Sequence, residues 1–293
     1  MRALQHTLLA GLIRYGRRRY RSALGVALRR RRARDLEAMI RRGLPDEVVP
    51  ALRYLVHERL DSDANEVASQ IEALRRRVRS GRFKSIDIIY SPPPGSFAEG
   101  QRPQTGEVVK FSMARIAQTG KNQRWGTALH LLAREMQSQY ILELGACAGI
   151  SGAYLATAPH CKQLVTVEGS APLAEIAQST LGEVAPHAEV MNCLFDEALD
   201  SLLERPQTID LAFIDGHHEK AATLHYFNRI QPRLSARAMV IFDDIAWSRD
   251  MADMWKEVSR LYGFSHTFNL GDIGVCIWTG EDEPVQWDFS KVL

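Results

Sequence analysis

Tyr140-Ile141-Leu142-Glu143-Leu144-Gly145-Ala146-Cys147-Ala148-Gly149-Ile150-Ser151 is the stretch that decides the fold. Five residues of strand-like apolar character run into an acid-x-Gly-x-x-x-Gly turn, and the chain continues as an apolar helix. Glycine suits a place where the chain must turn sharply and a ligand approaches the backbone, and the helix start offers free N–H groups. Twenty-five residues after Glu143, the strand Leu164 to Val167 ends in Glu168, whose carboxylate can accept both hydroxyls of a ribose. Together the two strand ends read as a nucleoside-cofactor site. The dinucleotide fingerprint G-x-G-x-x-G does not fit, because Gly145 and Gly149 are four residues apart.

Working outward, strand-like runs alternate with helical ones. Strands are expected at Tyr140 to Leu144, Leu164 to Val167, Glu189 to Cys193, Ile209 to Ile214, Ala238 to Phe242, Ser265 to Leu270 and Gly274 to Trp278. Helices are expected at Ile150 to Ala158, Pro172 to Gly182, Asp196 to Leu203, Glu219 to Ile230 and Asp250 to Tyr262. This alternation implies an α/β fold with a parallel sheet covered on both faces. Only a few residues around Gly271 separate the last two strands, too few for a crossover helix, so they should pair antiparallel at the sheet edge.

In such a sheet, functional groups collect beyond the carboxyl ends of the strands. Leu211-Ala212-Phe213-Ile214 ends in Asp215-Gly216-His217-His218, and Val240-Ile241-Phe242 ends in Asp243-Asp244. The three clustered carboxylates of Asp215, Asp243 and Asp244 repel one another and are tolerated best when a divalent cation or a basic group neutralises them, and an all-oxygen set suits Mg²⁺.

The Glu143-x-Gly145 form resembles motif I of class I S-adenosylmethionine-dependent methyltransferases. The resemblance implies a Rossmann-like seven-stranded sheet of order 3-2-1-4-5-7-6 with one reversed strand. It also implies a cofactor site of Glu143, Gly145, Gly149 and Glu168, with Ala146 and Gly169 beside them, and adenine near Cys193, Leu194, Phe195 or Asp196. The strand-end aspartates resemble those of metal-dependent O-methyltransferases of the catechol and macrolide-sugar types. There a general base stands three residues after the first metal ligand, which here is His218, and Asp215 belongs to both cofactor and catalytic sets. A neutral imidazole near pH 7 can take a hydroxyl proton. His217 reads as an exposed loop residue, and Trp247 as an acceptor-pocket wall or a core aromatic. Arg124-Trp125-Gly126 begins the helix where such enzymes close over their ligands. The chain lacks the Asn/Asp-Pro-Pro-Tyr/Phe box of nucleic-acid amino-methylases after the fourth strand, which favours oxygen of a small molecule or sugar as acceptor. A methyltransferase of RNA or another polyanion and a non-catalytic cofactor-binding scaffold are the competing readings.

The 293 residues are 45% hydrophobic and 25% charged, a globular composition that excludes disordered, collagenous and disulfide-rich classes. The four dispersed cysteines suggest neither a disulfide framework nor structural zinc. Charge is uneven: residues 1–85 carry 21 Lys and Arg against 9 Asp and Glu, a net of +12, whereas the rest is net −10. Before Asp35, the first acid, arginines interleave with leucines in a helical pattern. Such a helix suits an anionic membrane surface, a nucleic acid or an acidic partner, or else packs on the main domain or in a homodimer. An organellar transit peptide fits poorly, Ser22 being the only serine before residue 62. The division expected is a basic helical region at 1–90, a linker or active-site cover at 91–120, and a methyltransferase domain at 121–293. No apolar run reaches the ~18 residues of a membrane span and no secretory signal is evident, so a cytoplasmic protein with peripheral membrane contact is expected.

Overall fold

The computed structural model describes residues 30–81, 85–89 and 108–293. The basic pattern before residue 30 and the Pro-Gly-rich stretch at 91–106 lie outside the described residues. Helix α1 covers residues 30–41, followed by α2 (Val49–His57) and α3 (Ser62–Arg79), whose Asp61 cap accepts from the Ala64 amide at 2.8 Å. Strands β1 (Ser85–Ile89) and β2 (Val108–Ser112) pair antiparallel, with Ile88 opposite Val109. Two helices then lead to the motif: α4 (Met113–Thr119), capped by Ser112, and α5 (Gln123–Glu135), capped by Asn122.

From there the alternation runs β3 (Tyr140–Leu144), α6 (Ile150–Ala156), β4 (Gln163–Val167), α7 (Ala171–Val184), β5 (Ala188–Met191), α8 (Phe195–Leu202), β6 (Ile209–Ile214) and α9 (Lys220–Ile230). It ends with β7 (Leu234–Phe242), α10 (Arg249–Val258), β8 (Phe264–Asn269), β9 (Gly274–Trp278) and β10 (Val285–Asp288). The sheet order is β10-β8-β9-β7-β6-β3-β4-β5. Read from the β5 edge, strands β3 to β9 follow the expected 3-2-1-4-5-7-6 order, and β9 runs antiparallel to both β7 and β8.

Two expectations need correction. The sheet has eight strands, because Val285–Asp288 joins β8 in parallel, so the β8–β9 hairpin is not at the edge. The third strand also stops at Met191, and Cys193 belongs to the turn that follows.

Period-two alternation splits the strands between two cores. Ile141, Leu211, Phe213, Met239 and Ile241 face one side with Leu129, Leu155 and Leu181 from α5, α6 and α7. Leu142, Leu144, Ala212, Ile214, Val240 and Phe242 face the other with Leu199, Phe227 and Met254 from α8, α9 and α10. Leu52 and Leu55 of α2 and Ile71 of α3 lie in the first of these cores, so the N-terminal helices share the sheet's hydrophobic interior. Arg124 closes that join, donating to the carbonyls of Leu55 at 3.0 Å and of Leu293 at 3.4 Å. Among the described residues, no helix is long and apolar enough to cross a membrane.

Candidate active site

A cleft of about 520 Å³ opens beyond the carboxyl ends of β3, β4, β6 and β7. Four of the non-glycine residues with left-handed backbone, Cys147 (φ 46°), His217 (φ 63°), His218 (φ 46°) and Asp244 (φ 50°), line it. Such backbone costs of order 1–3 kcal/mol per residue and persists where the surroundings over-determine it.

The glycine turn is built for its neighbours as much as for a ligand. Gly145 has φ 108°, and a Cβ there would lie 1.9 Å from the Asp215 carbonyl oxygen, because β3 and β6 run side by side with Leu144 opposite Ile214. Gly149 caps α6 at φ 75°, and its Cβ would press on Ala177 of α7 at 3.0 Å. Ala146 is buried and its amide donates to the Val167 carbonyl at 3.1 Å. Gly145, Cys147 and Ser151 line the cleft. Gly149 and Ala146 shape the turn from behind.

Glu143 does not reach the cleft, contrary to the expectation that it lies beside a cofactor. It is 0% exposed behind the turn, where Thr166 Oγ1 donates to Oε2 at 2.6 Å. Burial pushes its pKa up to about 7, against the opposing hydroxyls of Ser151 and Thr166. A carboxyl that keeps its proton longer when folded stabilises most at low pH, and that contribution is lost as pH rises from the unfolded value of 4.5 through 7. Glu143→Gln should therefore gain stability over wild type progressively between pH 4.5 and 7, by on the order of 3 kcal/mol. Urea unfolding across that range checks this; a pH-independent difference would refute it.

Glu168 is the cleft's cofactor-side acid. Its Oε2 accepts from the Cys147 amide at 2.8 Å and Oε1 from the Ser170 amide at 2.9 Å, so it ties the glycine turn to its own loop. Burial raises its pKa in spite of those amides. Gly169, Leu194 and Phe195 continue this wall. Asp196 does not: it pairs with His225 Nε2 at 2.7 Å and Arg229 at 2.9 Å on the outer side, so it is no adenine contact.

Across the cleft stand the strand-end aspartates and His218. His218 Nε2 lies 3.7 Å from Asp215 Oδ1 and Nδ1 lies 3.7 Å from Asp244 Oδ2. Its ring stands 6.3 Å from that of Trp247, which is 60% exposed at the cleft mouth and therefore not a core aromatic. His217 is not an exposed loop residue. It lines the cleft, shares a 2.7 Å hydrogen bond with Tyr226 and packs 5.3 Å from the Phe195 ring, and burial lowers its pKa. The Arg124-Trp125-Gly126 run is structural: Trp125 is buried with Nε1 donating to Asp272 at 3.2 Å, and Gly126 lies against the Tyr154 ring.

The sequence reading missed Lys121. Its Nζ lies 2.5 Å from Asp243 Oδ2 and 3.5 Å from Asp244 Oδ1, inside the aspartate cluster. Burial opposes its charge, but Asp243, Asp215 and Asp244 outweigh that and raise its pKa. Burial likewise raises Asp215 to about 6, and burial with the neighbouring Asp215 charge holds Asp243 well above the usual carboxylate range. Lys121 is itself held by α3: Arg75, paired with Glu72 at 3.0 Å, donates to the backbone carbonyls of Ala117 at 2.9 Å and of Lys121.

The metal assignment to Asp215, Asp243 and Asp244 is corrected by this geometry. Among the described residues no group of three His, Cys, Asp or Glu is placed to hold a metal ion. The carboxylates converge on an ammonium instead, and Mg²⁺, which demands near-octahedral oxygen ligands, does not fit beside it.

A family model described as a methyltransferase domain matches residues 142–245. A comparison with curated proteins finds no match. Among solved structures, cofactor-bound Rv0187 from MTB is 17% identical, covering 81% of this chain and 100% of its own, with a TM-score of 0.50. The O-methyltransferase TomG from Streptomyces achromogenes, involved in tomaymycin synthesis and solved with SAM, is 19% identical over 76% of this chain and 91% of its own, with a TM-score of 0.49. An O-methyltransferase from Bacillus cereus in complex with SAH is 18% identical over 78% and 96%, with a TM-score of 0.46. Residues 142–245 thus match a methyltransferase-domain family, and the sheet that carries them has a Rossmann-like methyltransferase fold.

Proposed function

We propose that the protein is an S-adenosylmethionine-dependent O-methyltransferase acting on a hydroxyl of a small, largely apolar acceptor. One observation carries the reading: a single cleft has the Glu168 carboxylate in one wall and His218, between two carboxylates, in the other. The volume suits a bound small molecule. Glu168 would take the ribose hydroxyls, and the turn at Cys193, Leu194 and Phe195 the adenine. When bound, the cofactor supplies an electrophilic methyl group on a sulfonium, which an acceptor oxygen takes as the carbon–sulfur bond breaks.

The chain's own groups do the rest. His218 takes the hydroxyl proton on a ring nitrogen, and the carboxylates 3.7 Å away on either side offset the positive charge it acquires. Ile88, Phe111, Ile116 and Leu173 line the same cleft, favouring an apolar acceptor body and excluding water around the reacting oxygen.

Glu168→Ala should weaken binding of S-adenosylhomocysteine by at least tenfold, since it removes both the ribose acceptor and the tie to Cys147. Calorimetry measures this, and wild-type protein that binds neither the cofactor nor its product would overturn the proposal. Mass spectrometry with a labelled methyl donor and a metabolite extract identifies the acceptor.

A further inference from the structure

Three aspartates at adjacent strand ends repel one another unless a positive group sits among them. The Lys121 ammonium is so placed, 2.5 Å from Asp243 and 3.5 Å from Asp244, and the His218 ring stands 3.7 Å from Asp215 and from Asp244. Its side chain is 13% exposed, and Asp243 is 2% exposed with Oδ1 lacking a hydrogen-bond partner. The ammonium is not a flexible surface charge folded inward by chance. Lys121 stands in the short link between α4 and α5; Arg75 holds its carbonyl, and Asn122, the next residue, caps α5 by accepting from the Trp125 amide at 3.1 Å. The chain on both sides is therefore fixed, and Lys121 lines the cleft beside His218.

A divalent ion at the same carboxylates would stand next to this ammonium, and like charges a few ångströms apart repel strongly where water is scarce. The two cations compete for one position. An ammonium has three N–H donors, of which Asp243 and Asp244 take two, leaving one for an oxygen in the cleft.

Building on the O-methyltransferase reading above, we propose that Lys121 is the built-in cation of this active site. Its ammonium fills the place of a divalent metal, holds the aspartate cluster together and donates its remaining N–H to the acceptor oxygen while His218 removes the proton. The substrate class follows. A metal is chelated best by two adjacent oxygens, whereas one N–H donor needs a single oxygen, so the acceptor needs only one hydroxyl on an apolar body and no second oxygen beside it.

The test uses Mn²⁺ as the probe, read by electron paramagnetic resonance of the full chain with no acceptor present. Wild-type protein should leave millimolar Mn²⁺ free. Lys121→Ala, which exposes the carboxylates to solvent cations, should bind one Mn²⁺ per chain at least tenfold more tightly than wild type, and Lys121→Ala with Asp243→Asn should lose that gain. Lys121→Arg, which keeps the charge, should bind none. Stoichiometric Mn²⁺ binding by wild type that Asp243→Asn abolishes would overturn the proposal without reference to any variant at Lys121. A folded Lys121→Ala protein that takes up no Mn²⁺ would overturn it as well. Calorimetry of wild type with S-adenosylhomocysteine is the separate arm: failure there removes the methyltransferase reading, while the Mn²⁺ result alone decides which cation the cluster holds.

Discussion

His218→Ala is expected to lower the rate of labelled-methyl transfer by about 10²–10⁴, the usual cost of a lost general base, while affinity for S-adenosylhomocysteine changes little. The split between rate and affinity follows from the site's layout. In the proposed function Glu168 and the turn after β5 would hold the cofactor, while His218 stands with Asp215, Asp244 and Lys121 in the same cleft. His217 is no substitute, because it is engaged by Tyr226 at 2.7 Å and wedged against Phe195. A crippled His217→Ala beside a normal His218→Ala would reverse the assignment.

Among the described glycines, Gly145→Ala should be the most damaging single-methyl change. The new Cβ would stand 1.9 Å from the Asp215 carbonyl oxygen, a backbone atom that also belongs to the β6 strand end. The φ of 108° adds strain of its own for a residue with a side chain. Overpacking and backbone strain together should cost about 3 kcal/mol or more. The cost falls where β3 and β6 present Gly145 and Asp215 to the cleft, so cofactor affinity should fall with stability. Gly182→Ala is the control: its Cβ meets nothing within 4 Å, and it lies near the end of helix α7. That change should stabilise by several tenths of a kcal/mol up to about 1 kcal/mol. Urea unfolding and calorimetry of both variants test the contrast, and equal behaviour of the two would refute the packing account.

The contrast also shows what the sequence disclosed and why. Apolar periodicity gave the strands and helices around Gly145 because tertiary burial on both faces imposes it, and β3, β6 and β9 match their expected ranges to the residue. The strand Val285–Asp288 escaped notice because four residues after the acidic Glu281-Asp282-Glu283 carry almost no pattern; pairing with β8 makes them a strand. At the site, Glu168 and the three aspartates were legible because strand ends gather function. Glu143 was misplaced because sequence does not say whether a strand-end acid points into the cleft or behind it. Lys121 carried no signal at all. It is one lysine in a short helix link, 122 residues before Asp243, and only the packing of α4 and α5 on the sheet brings them together.

The guanidinium of Arg75 gives the N-terminal helices a meaning beyond support. The stretch that matches the methyltransferase family begins at residue 142, yet the ammonium in the aspartate cluster hangs from a carbonyl gripped by α3. The cleft's charge balance therefore depends on residues outside the stretch that matches the family. A chimera that grafted residues 142–245 onto a foreign leader would inherit the acids but leave behind the lysine and the Ile88, Phe111 and Ile116 lining of the cleft. Any leader without a lysine at that place would have to supply another cation for the same acids.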